Sequence, residues 1–489
     1  MDVTSRAAGP QLGRTSDSAK EALAQQIVDG VARLSTLDAG FLYAEDADRH
    51  ISLAVGGVSV LEGPAPDHDE IVAAIGRRLL AIPRLRQVVR RQPFDLSPPE
   101  WVDDPALDLA HHIRRAALPH PGDDEDLFRF TAEAMEPRLD RERPLWQCWI
   151  IEGLANDRWA ILMKVHHCVA DGIATMLMLT GLSDAGEEDT YVGAIRAAHE
   201  QPRPGFSLPT PTLNPLQWAR TAWTAVSAVT TSIGGTIEIL NGLLQAGATS
   251  SLNGPVTTMR RYSAVQVPLA DVASVCQAFD VTINDVALSA ITDSFRAALQ
   301  RRGEDPEPDS LRTLVPVSVR GNDAMDRLDN RVSVMLPYLP VDEPDRVEQL
   351  KAVHQRLHRV KAGGQRQAAS AAVAATKLLP FAMAARLIRT VTALPQRGVV
   401  TLATNVPGPQ RHLQMMGCDV VRMLPVPPVA LRLRVAVAIL SYGQDFIFGI
   451  TTDFDAFPDV DELTSGIADA VAGLAAAARR PYRPVKVGG

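Results

Sequence analysis

His166-His167-Cys168-Val169-Ala170-Asp171-Gly172 sets two adjacent imidazoles ahead of a carboxylate and a glycine, and its flanking segments decide the fold class. Upstream, Trp159-Ala-Ile-Leu-Met-Lys-Val165 is almost wholly apolar and begins just after the turn-forming pair Asn156-Asp157, the pattern of a buried strand. Downstream, Gly172-Ile-Ala-Thr-Met-Leu-Met-Leu179 reads as the start of a helix. The motif therefore lies on a strand-to-helix corner of an α/β chain, where the backbone is anchored on both sides. An unperturbed imidazole titrates near about 6.5, so the neutral form that accepts a proton dominates at neutral pH. His167 is the candidate general base, and His166 is assigned to orienting it or holding the turn. Asp171 fits a brace reaching an arginine elsewhere, or a cap on the next helix. Gly172 lets backbone or substrate approach closely. The chain carries its own control, His111-His112, which lacks the Asp-Gly and reads as surface or packed residues.

A chain of 489 residues with 46% hydrophobic content is long enough for two cores, because single cores stop growing near about 250 to 300 residues. Cys148, Cys168, Cys276 and Cys418 lie far apart without a CxxC pair, which indicates neither a disulfide framework nor a zinc knuckle and suits a reducing cytoplasm. The histidine pair has no third ligand at a recognisable spacing, so no metal is expected. The first thirty residues contain no apolar h-region and read as a disordered leader, with no secretion implied. Nowhere do eighteen strongly apolar residues run together, so any membrane contact is expected to be peripheral. The net charge of −8 conceals a polarity: from Lys351 to Cys418 there are ten Lys or Arg and no Asp or Glu. That region fits the phosphates of a nucleotide-bearing substrate, anionic lipid headgroups, or solvated helix faces. Its single aromatic, Phe381, and the lack of a recognisable module argue against nucleic acid.

Along the chain, residues 51–61 form a strand pattern, 69–91 a helix, and 147–151 a further strand ahead of the histidine strand. The proline-dense run 202–215 reads as a linker. Residues 216–246 are apolar, with Trp218, Trp223 and several Ile and Leu, and fit either an interfacial helix pair or a crossover packed between domains. A second unit begins near Tyr262. There, Val281-Thr-Ile-Asn-Asp-Val-Ala-Leu-Ser-Ala-Ile291 opens a helix, and Thr282 with Asp285 matches a capping box. Strands are expected at 332–336, 398–403, 435–440 and 446–450, and a closing helix at 460–477.

Several further segments carry a resemblance: Leu34-Ser-Thr-Leu-Asp-Ala-Gly-Phe-Leu42, Pro144-Leu-Trp146, Asn284-Asp285, Pro316-Val-Ser-Val-Arg320, Asn330-Arg-Val-Ser333 and Asn405-Val-Pro-Gly-Pro409. With His166 to Gly172, which resembles the HHxxxDG signature of the condensation-domain and CoA-dependent acyltransferase superfamily, they look like the bacterial wax ester synthase/acyl-CoA:diacylglycerol acyltransferases. The similarity runs from residue 34 to about 475. It implies an α/β (α+β) fold of two chloramphenicol-acetyltransferase-like lobes, each a mixed sheet with helices, meeting at a central channel. The expected division is a leader 1–33, a first lobe 34–200, a linker with the apolar segment 201–260, a second lobe 261–478 and a basic tail 479–489.

The implied reaction is transfer of a fatty acyl group from acyl-CoA to diacylglycerol or a long-chain alcohol, with acyl-CoA as co-substrate and no cofactor. A buried base acting directly needs no Cys168 nucleophile. The resemblance also sets Asn284 and Asp285 against the channel, where Asn284 could donate to a developing oxyanion, and makes Arg320 the partner of Asp171. Leu145 and Trp146, like Phe41 and Leu42, fit either channel wall or core. The implied location is cytoplasmic, peripheral to the inner membrane or lipid droplets. Alternatives are a donor thioester on a carrier protein, as in condensation domains, or a catalytically weak droplet-binding protein.

Overall fold

At Asn156 and Asp157 the backbone takes positive φ twice in succession (63° and 53°), a geometry that suits a tight turn between twisted strands. It joins Trp146–Leu154 to the histidine strand, Arg158–His166, as an antiparallel hairpin. Residues Trp159 to His166 are all buried, as expected of a strand covered on both faces. The computed structural model describes residues 32–170, 172–184, 250–318, 332–362, 381–393, 398–430 and 432–479. Most of the expected leader and of the expected linker 201–260, including its apolar segment 216–246, and the tail beyond residue 479 lie outside the described residues. So do Asp171 and Arg320.

The first sheet has six strands. In spatial order they are Gln414–Met415, Cys418–Val426, Ala54–Glu62, Arg158–His166, Trp146–Leu154 and Ile113–Ala117. The second runs Tyr338–Leu339, Leu311–Ser318, Thr401–Val406, Val435–Tyr442, Asp445–Asp453 and Arg260–Pro268, with Val332–Met335 paired to Leu311–Ser318. Helices Ile283–Arg301, Arg346–Ala362 and Val460–Ala478 pack together over the second sheet. This is the mixed α/β, two-lobed architecture that the sequence implies.

The two lobes are not consecutive pieces of chain. Strand Cys418–Val426 and its short neighbour come from the C-terminal half, yet they complete the first sheet, with Gly56 opposite Val426 and Val58 opposite Leu424. The expected second lobe, 261–478, thus donates an arm to the first. Where the arm crosses back, the sheets touch directly. The Tyr262 hydroxyl donates to the Pro425 carbonyl (3.0 Å), and a side chain on Gly449 would collide with that same oxygen. Buried Arg260 adds a second seam: it donates to the His50 carbonyl (2.7 Å), and its backbone N–H donates to the Glu136 carboxylate (2.8 Å).

One helix is shorter than its sequence reading. The stretch expected to be helical over 69–91 is helix His68–Leu80, then a 3-10 turn Pro83–Arg86 and strand Gln87–Arg90. Pro83 disfavours helical backbone at Ile82, which sits at φ −89°, ψ 108°, so the helix ends before it. The helix after the histidine motif, Gly172–Gly181, settles closely on the first sheet because Gly57 offers no side chain. A Cβ there would run into Leu179.

Candidate active site

The helix Thr36–Ala47 builds one wall of the site. Ser35 caps it, accepting the Asp38 N–H (3.1 Å) and donating its hydroxyl to the Asp38 carboxylate (2.7 Å). Phe41 and Glu45, four residues apart, share a face of this helix. The Phe41 ring lies flat against the His167 imidazole, with centroids 4.2 Å apart and planes 21° from parallel.

Glu45 is 1% exposed. One carboxylate oxygen accepts the Leu53 N–H (3.0 Å); the other accepts an Arg141 Nη2 donor (2.7 Å) and stands 3.6 Å from His166 Nε2. Burial alone would raise the Glu45 pKa, but His166, Arg141 and the Leu53 N–H outweigh it and hold the carboxyl down at about 2. Glu45 is therefore ionised at any physiological pH. Arg141 also pairs with Asp46 (2.6 Å) and donates to the Leu42 carbonyl (3.2 Å), while Arg138 donates to the carbonyls of Ile51, Glu45 and Asp48. These two arginines satisfy the carbonyl end of the helix and pin it to the lobe.

The two histidines have different surroundings. His166 is buried, and its Nδ1 accepts the Cys168 N–H (3.1 Å). A nitrogen that accepts carries no proton, so the neutral ring bears its hydrogen on Nε2, toward Glu45. The backbone N–H of His166 donates to the Leu145 carbonyl (3.0 Å) and that of His167 to the Leu53 carbonyl (2.9 Å), which fixes the turn from both sides. His167 is only partly buried.

Lys164, two residues before His166 and on the same strand face, is buried, with its ammonium on the Ala134 carbonyl (2.9 Å) and the Pro137 carbonyl. Burial lowers its pKa to about 7 against the pull of Glu45. Cys168 is also buried. Burial first, then the Asp38 and Glu45 carboxylates, raise its thiol well above the ordinary range, so it stays protonated and is a poor nucleophile.

Leu145 and Trp146 are packed in the core of the first lobe. The Trp146 indole donates to the Leu85 carbonyl (2.8 Å), and its ring stacks on His112, whose Nδ1 meets the Trp146 carbonyl (2.8 Å). A second cluster forms at the start of helix Ile283–Arg301. Thr282 and Asp285 make the expected capping box, and Asp285 also receives His354 Nδ1 (2.8 Å). Exposed Asn284 accepts from the Asn405 amide (2.6 Å), which ties the Asn284-Asp285 and Asn405-Val-Pro-Gly-Pro409 segments together. Gly172 is the first residue of its helix.

Sequence reasoning missed Glu45, Arg141 and His354. The four-residue spacing of Phe41 and Glu45 behind a Ser35-to-Asp38 cap was a readable signal for the first. Arg141 stands 96 positions from Glu45 and His354 stands 69 from Asp285, and local patterning does not reveal such pairs.

Residues 34–287 match the wax ester synthase/diacylglycerol acyltransferase catalytic domain and 328–475 the C-terminal domain of the same enzymes. A Mycobacterium tuberculosis protein named "Probable diacyglycerol O-acyltransferase tgs1" is 52% identical over 453 residues, 91% of this chain and 96% of that protein. A solved wax ester synthase/diacylglycerol acyltransferase from Marinobacter aquaeolei VT8 superposes with a TM-score of 0.64 at 25% identity, covering 91% of this chain and 100% of that one. The first condensation domain of the CDA synthetase shares the fold, with a TM-score of 0.56 at 14% identity over 92% of this chain and 97% of that one. With both domains matched in order and the histidine motif on the corner that the fold requires, the chain belongs to the wax ester synthase/diacylglycerol acyltransferase family and is an acyltransferase.

Proposed function

We propose that this acyltransferase moves a fatty acyl group from acyl-CoA to the hydroxyl of diacylglycerol or of a long-chain alcohol, by direct transfer with His167 as general base. The observation that carries the assignment of the base is the contrast within the pair. His166 spends Nδ1 on the Cys168 N–H and turns Nε2 to Glu45 inside the lobe, whereas His167, just past the end of the strand, is only partly buried. The acceptor oxygen attacks the thioester carbonyl carbon as His167 takes its proton. The tetrahedral intermediate then breaks its C–S bond, and the proton passes to the departing CoA thiolate. No cofactor enters this reading.

Asn284, with its carbonyl engaged by Asn405, keeps an amide N–H₂ that suits a developing oxyanion or a substrate oxygen. Asp171 and Arg320 are proposed to brace the turn. Both substrates partition into lipid, so peripheral contact with a membrane or droplet belongs to the same reading. Among the described residues no helix is long and apolar enough to cross a membrane.

The test is release of free CoA thiol from palmitoyl-CoA, with diacylglycerol and hexadecanol as separate acceptors, in wild type and a folded His167→Ala variant. Acceptor-dependent release that is lost in the variant is expected. Equal release in both proteins would remove His167 as the base; none in either would move the donor to a carrier-bound thioester.

A further inference from the structure

We propose that Glu45, clamped by Arg141, is the positioning residue of this site: one buried carboxylate fixes the backbone on both sides of His167 and sets the ring tautomer of His166. The inference rests on His167 being the base, and it adds a residue outside the histidine motif to the machinery.

Two routes run from Glu45 to the turn. Through one oxygen it faces His166 Nε2 at 3.6 Å, and the opposite nitrogen of that ring accepts the N–H of Cys168, the residue after His167. Through the other it accepts the Leu53 N–H (3.0 Å), and the Leu53 carbonyl in turn accepts the N–H of His167 itself (2.9 Å). The helix supplies a third contact, because Phe41, one turn before Glu45, lies against the imidazole of the base. Arg141 closes the arrangement by gripping Glu45, Asp46 and the Leu42 carbonyl of that same helix, so the carboxylate cannot swing away.

Charge is what makes the arrangement directional. A carboxylate can only accept, so it favours the Nε2–H form of His166 and leaves Nδ1 open for the Cys168 N–H. An amide in its place would also offer donors. With its N–H₂ toward His166 Nε2 it would favour the Nδ1–H form, whose proton would point at the Cys168 N–H and push the turn apart. Because a displacement of about 1 Å can cost roughly 10²-fold in rate, a small shift of the turn is enough to matter.

The full-length chain carrying Glu45→Gln is expected to lose about 10- to 100-fold in kcat for palmitoyl-CoA, with KM changed less than about twofold, since substrate contacts are untouched. Glu45→Asp, which keeps the charge on a shorter stem, is expected to recover part of the loss. Nitrogen-15 spectra of histidine-labelled protein should show His166 moving from the Nε2–H form toward the Nδ1–H form in Glu45→Gln and staying in place in Glu45→Asp. A purely structural role would not give that pattern. A folded Glu45→Gln with wild-type kcat and an unchanged His166 tautomer would overturn the proposal. If Glu45→Gln does not fold, Arg141→Lys loosens the clamp with the charge kept, and unchanged kcat and tautomer there would overturn it equally. Loss of the base assignment is separable: a fully active His167→Ala would refute that reading, while the tautomer response to Glu45→Gln would still be judged by itself.

Discussion

His111-His112 and His166-His167 are the same dipeptide in one lobe, and the structure uses them in opposite order. In the first pair the leading residue is exposed and 3.9 Å from Asp108, while His112 is buried, stacked on Trp146 and bonded to its carbonyl. In the second the leading residue is the buried one, and the trailing His167 is only partly buried. Burial turns an imidazole into scaffold, because a ring closed off inside the lobe cannot reach a substrate, whichever of its nitrogens carries the lone pair. The pairs also differ in the backbone that comes after them. His112 runs into strand Ile113–Ala117, whereas His167 enters a turn and then a helix, and a turn is where a side chain can leave the sheet plane.

The largest break in the comparison should come from His167→Ala, with acceptor-dependent turnover falling by about 10²- to 10⁴-fold and little change in melting temperature. Steady-state CoA-thiol release alongside thermal unfolding measures both. His112→Ala should do the reverse: about 1 to 3 kcal/mol of stability lost through the orphaned Trp146 carbonyl and the vacated stacking site, with turnover per folded molecule retained. Denaturant unfolding paired with an activity assay on the folded fraction distinguishes the two.

A smaller effect appears in the pH dependence. Burial lowers the His112 pKa below its ordinary value of about 6.5, so the unfolded chain binds the extra proton first. Its contribution is complete above about pH 6.5 and shrinks as the medium is acidified below that, a limb His112→Ala should lack. Glu45, held at about 2, contributes fully above the ordinary carboxylate pKa near 4.5 and loses that contribution between there and about pH 2. Glu45→Gln should flatten this second, more acidic limb and leave the first in place. Melting temperatures from pH 7 down to about pH 2 for the three proteins resolve both windows. The smallest effect belongs to His111→Ala, whose partner lies 3.9 Å away with both side chains exposed; stability and turnover should match wild type.

Most of the first lobe was legible because its decisive signals are local. The Asn156-Asp157 turn, the apolar run before His166, interrupted only by Lys164, and, in the other lobe, the Thr282-to-Asp285 box each act within a few residues, and each appears where the sequence puts it. The helix expected to reach residue 91 failed at Pro83, where amphipathic spacing continues past a backbone that cannot follow it. Glu45 escaped notice for a different reason. Its value to the site is set by Arg141, His166 and Leu53, and nothing in the neighbourhood of Glu45 in the sequence announces them. The arm Cys418–Val426 is the same case at larger scale, since its strand pattern cannot reveal which of two sheets it will join.

That arm imposes an order on biosynthesis. Until residue 426 has emerged from the ribosome, strand Ala54–Glu62, the immediate neighbour of the histidine strand, is an open edge able to pair with any passing strand. The newborn chain must carry that edge while all the residues between Glu62 and Cys418 are made, so the first lobe is most exposed to wrong pairing during synthesis. The carbonyl that accepts the His167 N–H, Leu53 O, sits one residue ahead of this strand, so the histidine corner is built beside an edge that the arm covers only later. A fragment that stops short of the arm is expected to leave the first sheet open at Ala54–Glu62.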